Sequence, residues 1–163
     1  FLTDSVKQLL RETGYPGMKV LEFAFDSRDT GSDYLPHCYP RHCVVYAGTH
    51  DNDTIQGWMA SAPEKDVAYA KEYLRLTEAE GWHWGMMRSA WASPADLAVM
   101  QLQDVLGLGG EARMNTPSTL GENWKWRLLP GAFTPALAKR LRHEMAVYQR
   151  ETQPQPVLEE IEG

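Results

Sequence analysis

Apolar and polar positions change their period several times along this chain, and each change marks an element. Val6, Leu9 and Leu10 recur at helical spacing, with Thr3 or Asp4 as cap, Leu2 as staple and Gly14 as stop. After Pro16-Gly17, residues 18 to 25 (Met-Lys-Val-Leu-Glu-Phe-Ala-Phe) are apolar at nearly every position, which predicts a strand covered on both faces. Asp26 to Arg41 is polar, punctuated by Gly31, Pro36 and Pro40, and reads as a loop. Cys43 to Ala47 predicts a second buried strand that ends at Gly48 and runs into Thr49-His50-Asp51-Asn52-Asp53-Thr54. From Ile55 to Leu106 the period is helical; Ser93-Pro94-Ala95-Asp96 reads as a helix start within it and Gly107 as the stop. Trp124, Trp126 and Leu128 alternate with Lys125 and Arg127, the pattern of a short strand. Thr134-Pro135 opens a last helix whose inner face is Leu137, Leu141, Met145 and Tyr148. From 151, and plainly from Gln153 to Gly163, prolines and acids follow without period, as in a disordered tail.

The order helix, strand, loop, strand, helices, strand, helix has the rhythm of a parallel α/β architecture. A closed (β/α)8 TIM barrel needs ~250 residues, so about its last three strands and their helices fit here. Residues 1–150 are therefore expected to form the C-terminal part of such a barrel, with a helical segment at 55–106 and a tail at 151–163. The chain opens at Phe1 directly on a helix signal, and it reads as a piece of something larger. Strands 18–25 and 43–47 would then lack neighbours, and self-association through exposed barrel edges is expected.

Composition narrows the classes. Of 163 residues 43% are apolar, enough for one packed core. Sixteen basic against 22 acidic side chains give a formal charge of −6, which argues against a nucleic-acid or anionic-membrane partner. No apolar run approaches the ~18–20 residues of a membrane span, no secretory leader opens the chain, and two cysteines are too few for a disulfide framework. A cytoplasmic protein is expected.

His50-Asp51 is the sharpest chemical feature. It follows a buried strand and precedes a helix, where α/β barrels place catalytic groups. A carboxylate there can accept hydrogen bonds from substrate hydroxyls while the imidazole donates to another. Asp and Asn at such a junction also serve as N-caps: that reading is the better one for Asn52, Asp53 and Thr54, and for Asp51 the two stand level. Asp51-Asn52-Asp53 fails as a calcium loop, because Ile55 and Gln56 stand where an oxygen ligand and glycine are needed. His37-Cys38 and His42-Cys43 lack a second pair to complete a zinc site and read as loop histidines and small buried thiols. Gly107 to Gly110 lacks phosphate-loop spacing and is a connector. Trp82, Trp84 and Trp91 read as core. Trp58, Trp124 and Trp126 lie beside the polar motifs, where an indole could stack on a sugar, although core packing is the better reading for each.

Three segments carry a resemblance: Gly14-Tyr15-Pro16-Gly17-Met18-Lys19-Val20-Leu21; Gly48-Thr49-His50-Asp51-Asn52-Asp53-Thr54 with Gly57-Trp58; and Arg113-Met114-Asn115-Thr116-Pro117 leading to Asn123-Trp124-Lys125-Trp126-Arg127. In this order, from Phe1 to about Gln149, the chain resembles the 4-alpha-glucanotransferases of the amylomaltase type, family 77 of the glycoside hydrolases. The resemblance implies transfer of an α-1,4-glucan segment to a new 4-position on glucose or a maltooligosaccharide, with retention and without metal or organic cofactor. It implies that Asp51 stabilises the oxocarbenium-like transition state, that His50 binds the same sugar, and that Asn115 contacts sugar from a lid loop. The family's nucleophile and its acid/base would lie upstream of Phe1, leaving this chain inactive alone. Where the family usually has Pro-Gly-Thr, this chain has Pro117-Ser118-Thr119, so a positive φ at that position would strain the turn by ~1 kcal/mol. Two rivals remain open: an α-glucan hydrolase of the same broad clan, and a non-catalytic α-glucan-binding module.

Overall fold

A computed structural model describes residues 3–28 and 32–151. The chain divides into two compact units, Phe1–Ala132 and Phe133–Gly163.

In the first unit, α1 (Asp4–Thr13) follows extended Thr3 and stops at Gly14, whose φ of 69° lets its N–H reach back to Leu10 O at 3.1 Å. That left-handed turn suits glycine because it has no Cβ to strain. The apolar stripe is real but uncovered within this chain: no residue of α1 is buried, and Leu9 is 57% exposed.

Three parallel strands form the sheet: β1 (Gly17–Val20), β2 (Cys43–Tyr46) and β3 (Leu97–Val99), in the order β1-β2-β3. Gly17 pairs with Cys43 and Val20 with Tyr46; on the other side Val44 pairs with Leu97 and Tyr46 with Val99. Cys43 and Val45 of the central strand are fully buried, as expected for a strand with neighbours on both sides. The expected strand over 18–25 ends early. After Val20 the chain turns into a 3-10 helix, Leu21–Phe25, held by Glu22 N–H donating to Ala47 O at 3.1 Å. The turn swings Phe25 inward among Trp58, Tyr69 and Tyr73, with ring centroids 6.2, 5.6 and 6.0 Å away. An unbroken apolar run cannot tell a straight strand from a buried turn, because both hide every side chain.

The helical stretch 55–106 is not continuous. It contains α2 (Ile55–Ser61), α3 (Glu64–Leu74) and α4 (Trp82–Trp91), separated at Pro63 and by positive φ at Arg75 and Gly81. The expected helix start at Ser93-Pro94-Ala95-Asp96 is a turn into β3. Ser93 Oγ donates back to Ala90 O at 2.7 Å instead of capping forward, and Asp96 N–H donates to Arg41 O at 2.9 Å beside β2. Pairing of β3 with β2 thus overrides a local capping pattern. A short α5 (Leu102–Val105) then stops at Gly107, φ 68°. Trp124 to Leu128, expected as a strand, forms none: Trp124 has φ 64° and Arg127 turns back to donate to the Trp124 and Trp126 carbonyls.

The core is built on Val20 and Val45 of the sheet and on Ile55, Met86, Met87 and Ala90 of α2 and α4, two helices that pack on each other. Trp84 and Trp91 are buried with ring centroids 6.1 Å apart, as expected; Trp82 is half-buried under the Lys71 ammonium, 4.3 Å from its ring. No helix of the described residues is long and apolar enough to cross a membrane.

The second unit is α6 (Pro135–Val147). Thr134 Oγ1 accepts from Leu137 N–H at 3.2 Å, and Pro135 occupies the first turn. Leu137, Leu141, Met145 and Tyr148 are half-buried. The expected tail from Gln153, the Leu2 staple and Gly31 lie outside the described residues.

Candidate functional site

Where β2 runs out, the backbone turns sharply and is locked by short polar side chains. Thr49 donates to Asn52 Oδ1 through both its N–H (2.9 Å) and its hydroxyl (2.7 Å), and Asn52 N–H returns a bond to Thr49 O at 3.0 Å. Asp53 Oδ1 accepts from Thr54 N–H at 2.8 Å, and buried Thr54 accepts from Gly57 N–H at 3.1 Å as the N-cap of α2. Asn52, Asp53 and Thr54 are therefore consumed by the turn and the cap. Asp51 is not. Its carboxylate projects outward, about half exposed, with Oδ1 3.4 Å from His50 Nε2.

A second segment, 62 to 64 residues on, closes over this turn. Asn115 Nδ2 donates to Asp51 Oδ1 at 2.6 Å. Arg113 donates through Nη2 to Asp51 O at 2.9 Å and through Nε to Asn115 O at 3.3 Å, and its Nη1 lies 3.7 Å from Asp53 Oδ2. Trp124 N–H donates to Met114 O at 2.7 Å, and its indole lies against the His50 ring at 5.0 Å. Trp124 is 53% exposed and not core as the sequence suggested, because its left-handed backbone turns the ring out over the cleft. Ser118 in the same loop has φ 63°, the strained conformation expected of a serine at that turn.

Asp51 separates two concavities. One is a cleft of about 480 Å³, walled by Tyr46, His50, Met100, Met114 and Trp124. The other, about 310 Å³, is walled by Glu22, Asp53, Trp58, Asp66 and Arg113. An apolar wall with an aromatic ring, beside a half-exposed carboxylate, an imidazole and an amide, suits a polyhydroxylated ring: its faces pack on the indole and its hydroxyls meet the polar groups.

Two acids that the sequence reading passed over lie beneath this loop. Glu22 is 4% exposed, and its Oε1 has no hydrogen-bond partner among the described residues. Burial, reinforced by Asp104 and Asp53 and opposed by Arg113, holds its carboxyl well above the usual range. Asp104, 1% exposed, accepts Ile55 N–H at 2.7 Å through Oδ1. Burial pushes its carboxyl up to about 7, with Asp53 adding to the rise and the Ile55 N–H opposing it. A signal was available for Glu22, a lone acid among Leu21, Phe23, Ala24 and Phe25; Asp104, preceded by Gln101 and Gln103, gave none.

The cysteine–histidine pairs disperse. His37 Nδ1 meets Tyr73 Oη at 2.7 Å, and His42 Nε2 meets Gly14 O at 2.9 Å. Cys43 is buried and donates to Pro40 O, but Cys38 is exposed, against the expectation of two buried thiols. Among the described residues no group of three or more His, Cys, Asp or Glu is placed to hold a metal.

Comparisons with known proteins show the family. The family model described as 4-alpha-glucanotransferase matches residues 1–132. A 4-alpha-glucanotransferase of Clostridium butyricum is 44% identical over 151 residues, which is 92% of this chain and 31% of that protein. That of Thermus thermophilus is 47% identical over 148 residues, covering 86% of this chain and 29% of the relative. A chloroplastic/amyloplastic 4-alpha-glucanotransferase of Solanum tuberosum is 42% identical over 153 residues, 91% of this chain and 26% of its own length. Among solved structures, an amylomaltase from Streptococcus agalactiae in complex with acarbose superimposes with a TM-score of 0.88 at 33% identity, covering 93% of this chain and 31% of that one. The chain thus spans about a third of the length of the relatives it matches.

Proposed function

The chain belongs to the 4-alpha-glucanotransferase family, glycoside hydrolase family 77, and from that premise we propose that it supplies the transition-state-stabilising side of a retaining glucan transfer site at the C-terminal end of a (β/α)8 barrel. Asp51 accepts hydroxyl hydrogen bonds from the sugar whose anomeric carbon reacts. As that ring gains positive charge, the carboxylate is held in place to meet it, so the stabilisation needs no rearrangement at the moment of reaction. Asp51 Oδ1 is engaged by Asn115 and His50, which leaves Oδ2, without a hydrogen bond among the described residues, as the oxygen turned to substrate. His50 and Asn115 bind neighbouring hydroxyls, and the 113–124 loop with Trp124 excludes water so that an acceptor sugar competes with it.

Retention needs a nucleophile and an acid/base ~5–5.5 Å apart. In this reading both come from outside the 163 residues, and the isolated chain binds α-1,4-glucans and maltooligosaccharides without turning them over. Residues 1–150 form the barrel part and 151–163 a tail. The half-exposed Met18 and Leu97 on the outer strands lead the isolated chain to self-associate. A cytoplasmic location stays part of the reading.

The observation that carries the proposal is the 2.6 Å bond joining Asn115 to Asp51 across 64 residues, on the wall of a cleft with an exposed indole. The test is product analysis of maltotriose incubated with the protein translated from the longest reading frame containing this chain. Glucose together with oligosaccharides longer than maltotriose supports transfer. Shortened products alone support the hydrolase, and glucan binding by a frame that yields no product supports the binding module.

A further inference from the structure

Besides the Asn115–Asp51 bond, one guanidinium bridges the two segments that meet at Asp51. Arg113 reaches three acceptors: Asp51 O at 2.9 Å, Asn115 O at 3.3 Å and, more distantly, Asp53 Oδ2 at 3.7 Å. The Arg113 and Asp53 side chains are 24% and 20% exposed, so solvent screens the pair less than a surface pair. A guanidinium presents its N–H donors in a rigid plane, and it can hold several acceptors at fixed mutual angles; an ammonium on a flexible stem cannot.

Arg113 grips backbone on both sides of the Asn115–Asp51 bond: the carbonyl of the residue that carries the carboxylate and the carbonyl of the residue that carries the amide. With both carbonyls fixed to one plane, the Asn115 side chain needs no search to find Oδ1. Arg113 does not wall the cleft that holds His50 and Trp124. Resting on the functional reading above, we infer that Arg113 is a positioning residue, which sets the orientation of the Asp51 carboxylate by clamping the Asn115 segment onto the Thr49–Thr54 turn. Its effect on sugar passes through Asp51 and Asn115.

The test uses the isotopically labelled full chain and its variants Arg113→Met and Arg113→Lys. Three readouts are taken: the Asn115 side-chain amide resonance, the affinity for acarbose by titration, and thermal unfolding. In the unmodified chain the Asn115 amide is shifted by its carboxylate partner. In Arg113→Met it moves to the position of a solvated amide, and acarbose binding weakens about tenfold, the loss of one hydrogen bond to a charged group. Arg113→Lys keeps the charge beside Asp53 but not the two backbone bonds, so it shifts in the same direction. It decides the matter if Arg113→Met does not fold. An Asn115 amide unmoved in the folded variants overturns the inference. An unmodified chain that binds no acarbose contradicts the glucan reading instead, and the Asn115 signal still decides the role of Arg113.

Discussion

Asp104, together with Glu22, makes the stability of this chain depend on pH. It is buried beneath the Thr49–Thr54 turn with one oxygen bonded to Ile55 N–H and the other, Oδ2, without a partner among the described residues. Its folded-state pKa is raised from 3.8 to about 7, so the folded protein prefers Asp104 protonated more than the unfolded chain does. That preference stabilises fully below pH 4. It is lost progressively as pH rises from about 4 through about 7. A rise of roughly three units at ~1.36 kcal/mol each makes the loss about 4 kcal/mol. Asp104→Asn keeps an Oδ1 to accept from Ile55 and cannot ionise. Between pH 4 and pH 8 the stability of the variant relative to the parent chain should therefore rise by about 4 kcal/mol. For a chain of this size that is on the order of 10 °C in the unfolding midpoint. Glu22, raised in the same direction, remains in the variant and leaves it a residual slope. The assay is thermal and urea unfolding of both proteins at pH steps from 4 to 8. Parallel curves, or an advantage of the variant that shrinks with pH, would refute the reasoning.

Four further substitutions have defined outcomes. Ser118→Gly relieves a positive φ and should stabilise by ~1 kcal/mol, read as a rise of ~2–4 °C in midpoint; an unchanged or lower midpoint counts against strain at this turn. A Cβ at Gly48 would stand 2.9 Å from Glu22 Oε1 and 3.1 Å from Asn52 Cβ. Gly48→Ala should thus cost ~1–3 kcal/mol by overpacking, and a neutral result in urea unfolding would mean that the turn yields freely. Thr54→Ala removes the cap of α2 and should cost ~1 kcal/mol, as should Thr134→Ala at α6; unfolding that is insensitive to both would contradict their capping roles.

How far the sequence foretold this arrangement depends on the range of the interaction. Several local signals held: Gly14 and Gly107 end helices at positive φ, Thr54 and Thr134 cap, and Ser118 stands in the strained turn, although Thr3 makes no side-chain cap. The turn at His50-Asp51 was legible because a buried strand runs there straight into short polar residues; which of them cap and which face the cleft was not. Elements made by long-range pairing were not. Leu97–Val99 is a strand because β2 lies beside it, and nothing within Ser93-Pro94-Ala95-Asp96 reveals that neighbour. Residues 21 to 25 coil because Phe25 finds three aromatic partners, and Trp124 alternates like a strand residue yet is held by Met114 in a turn. Glu22 and Asp104 were missed for another reason: nothing local tells a buried acid from an exposed one, and both are buried by segments distant in sequence.

The most direct measurement is kcat for maltotriose disproportionation by the protein encoded in the full frame, with and without Asp51→Asn. The substitution is nearly isosteric and Asp51 is half exposed, so the unfolding midpoint should hold. If, as proposed, the Asp51 carboxylate meets a developing oxocarbenium, the substitution removes that charge and kcat should fall by at least about a hundredfold. A folded Asp51→Asn protein that disproportionates maltotriose at a near-normal rate would contradict the account.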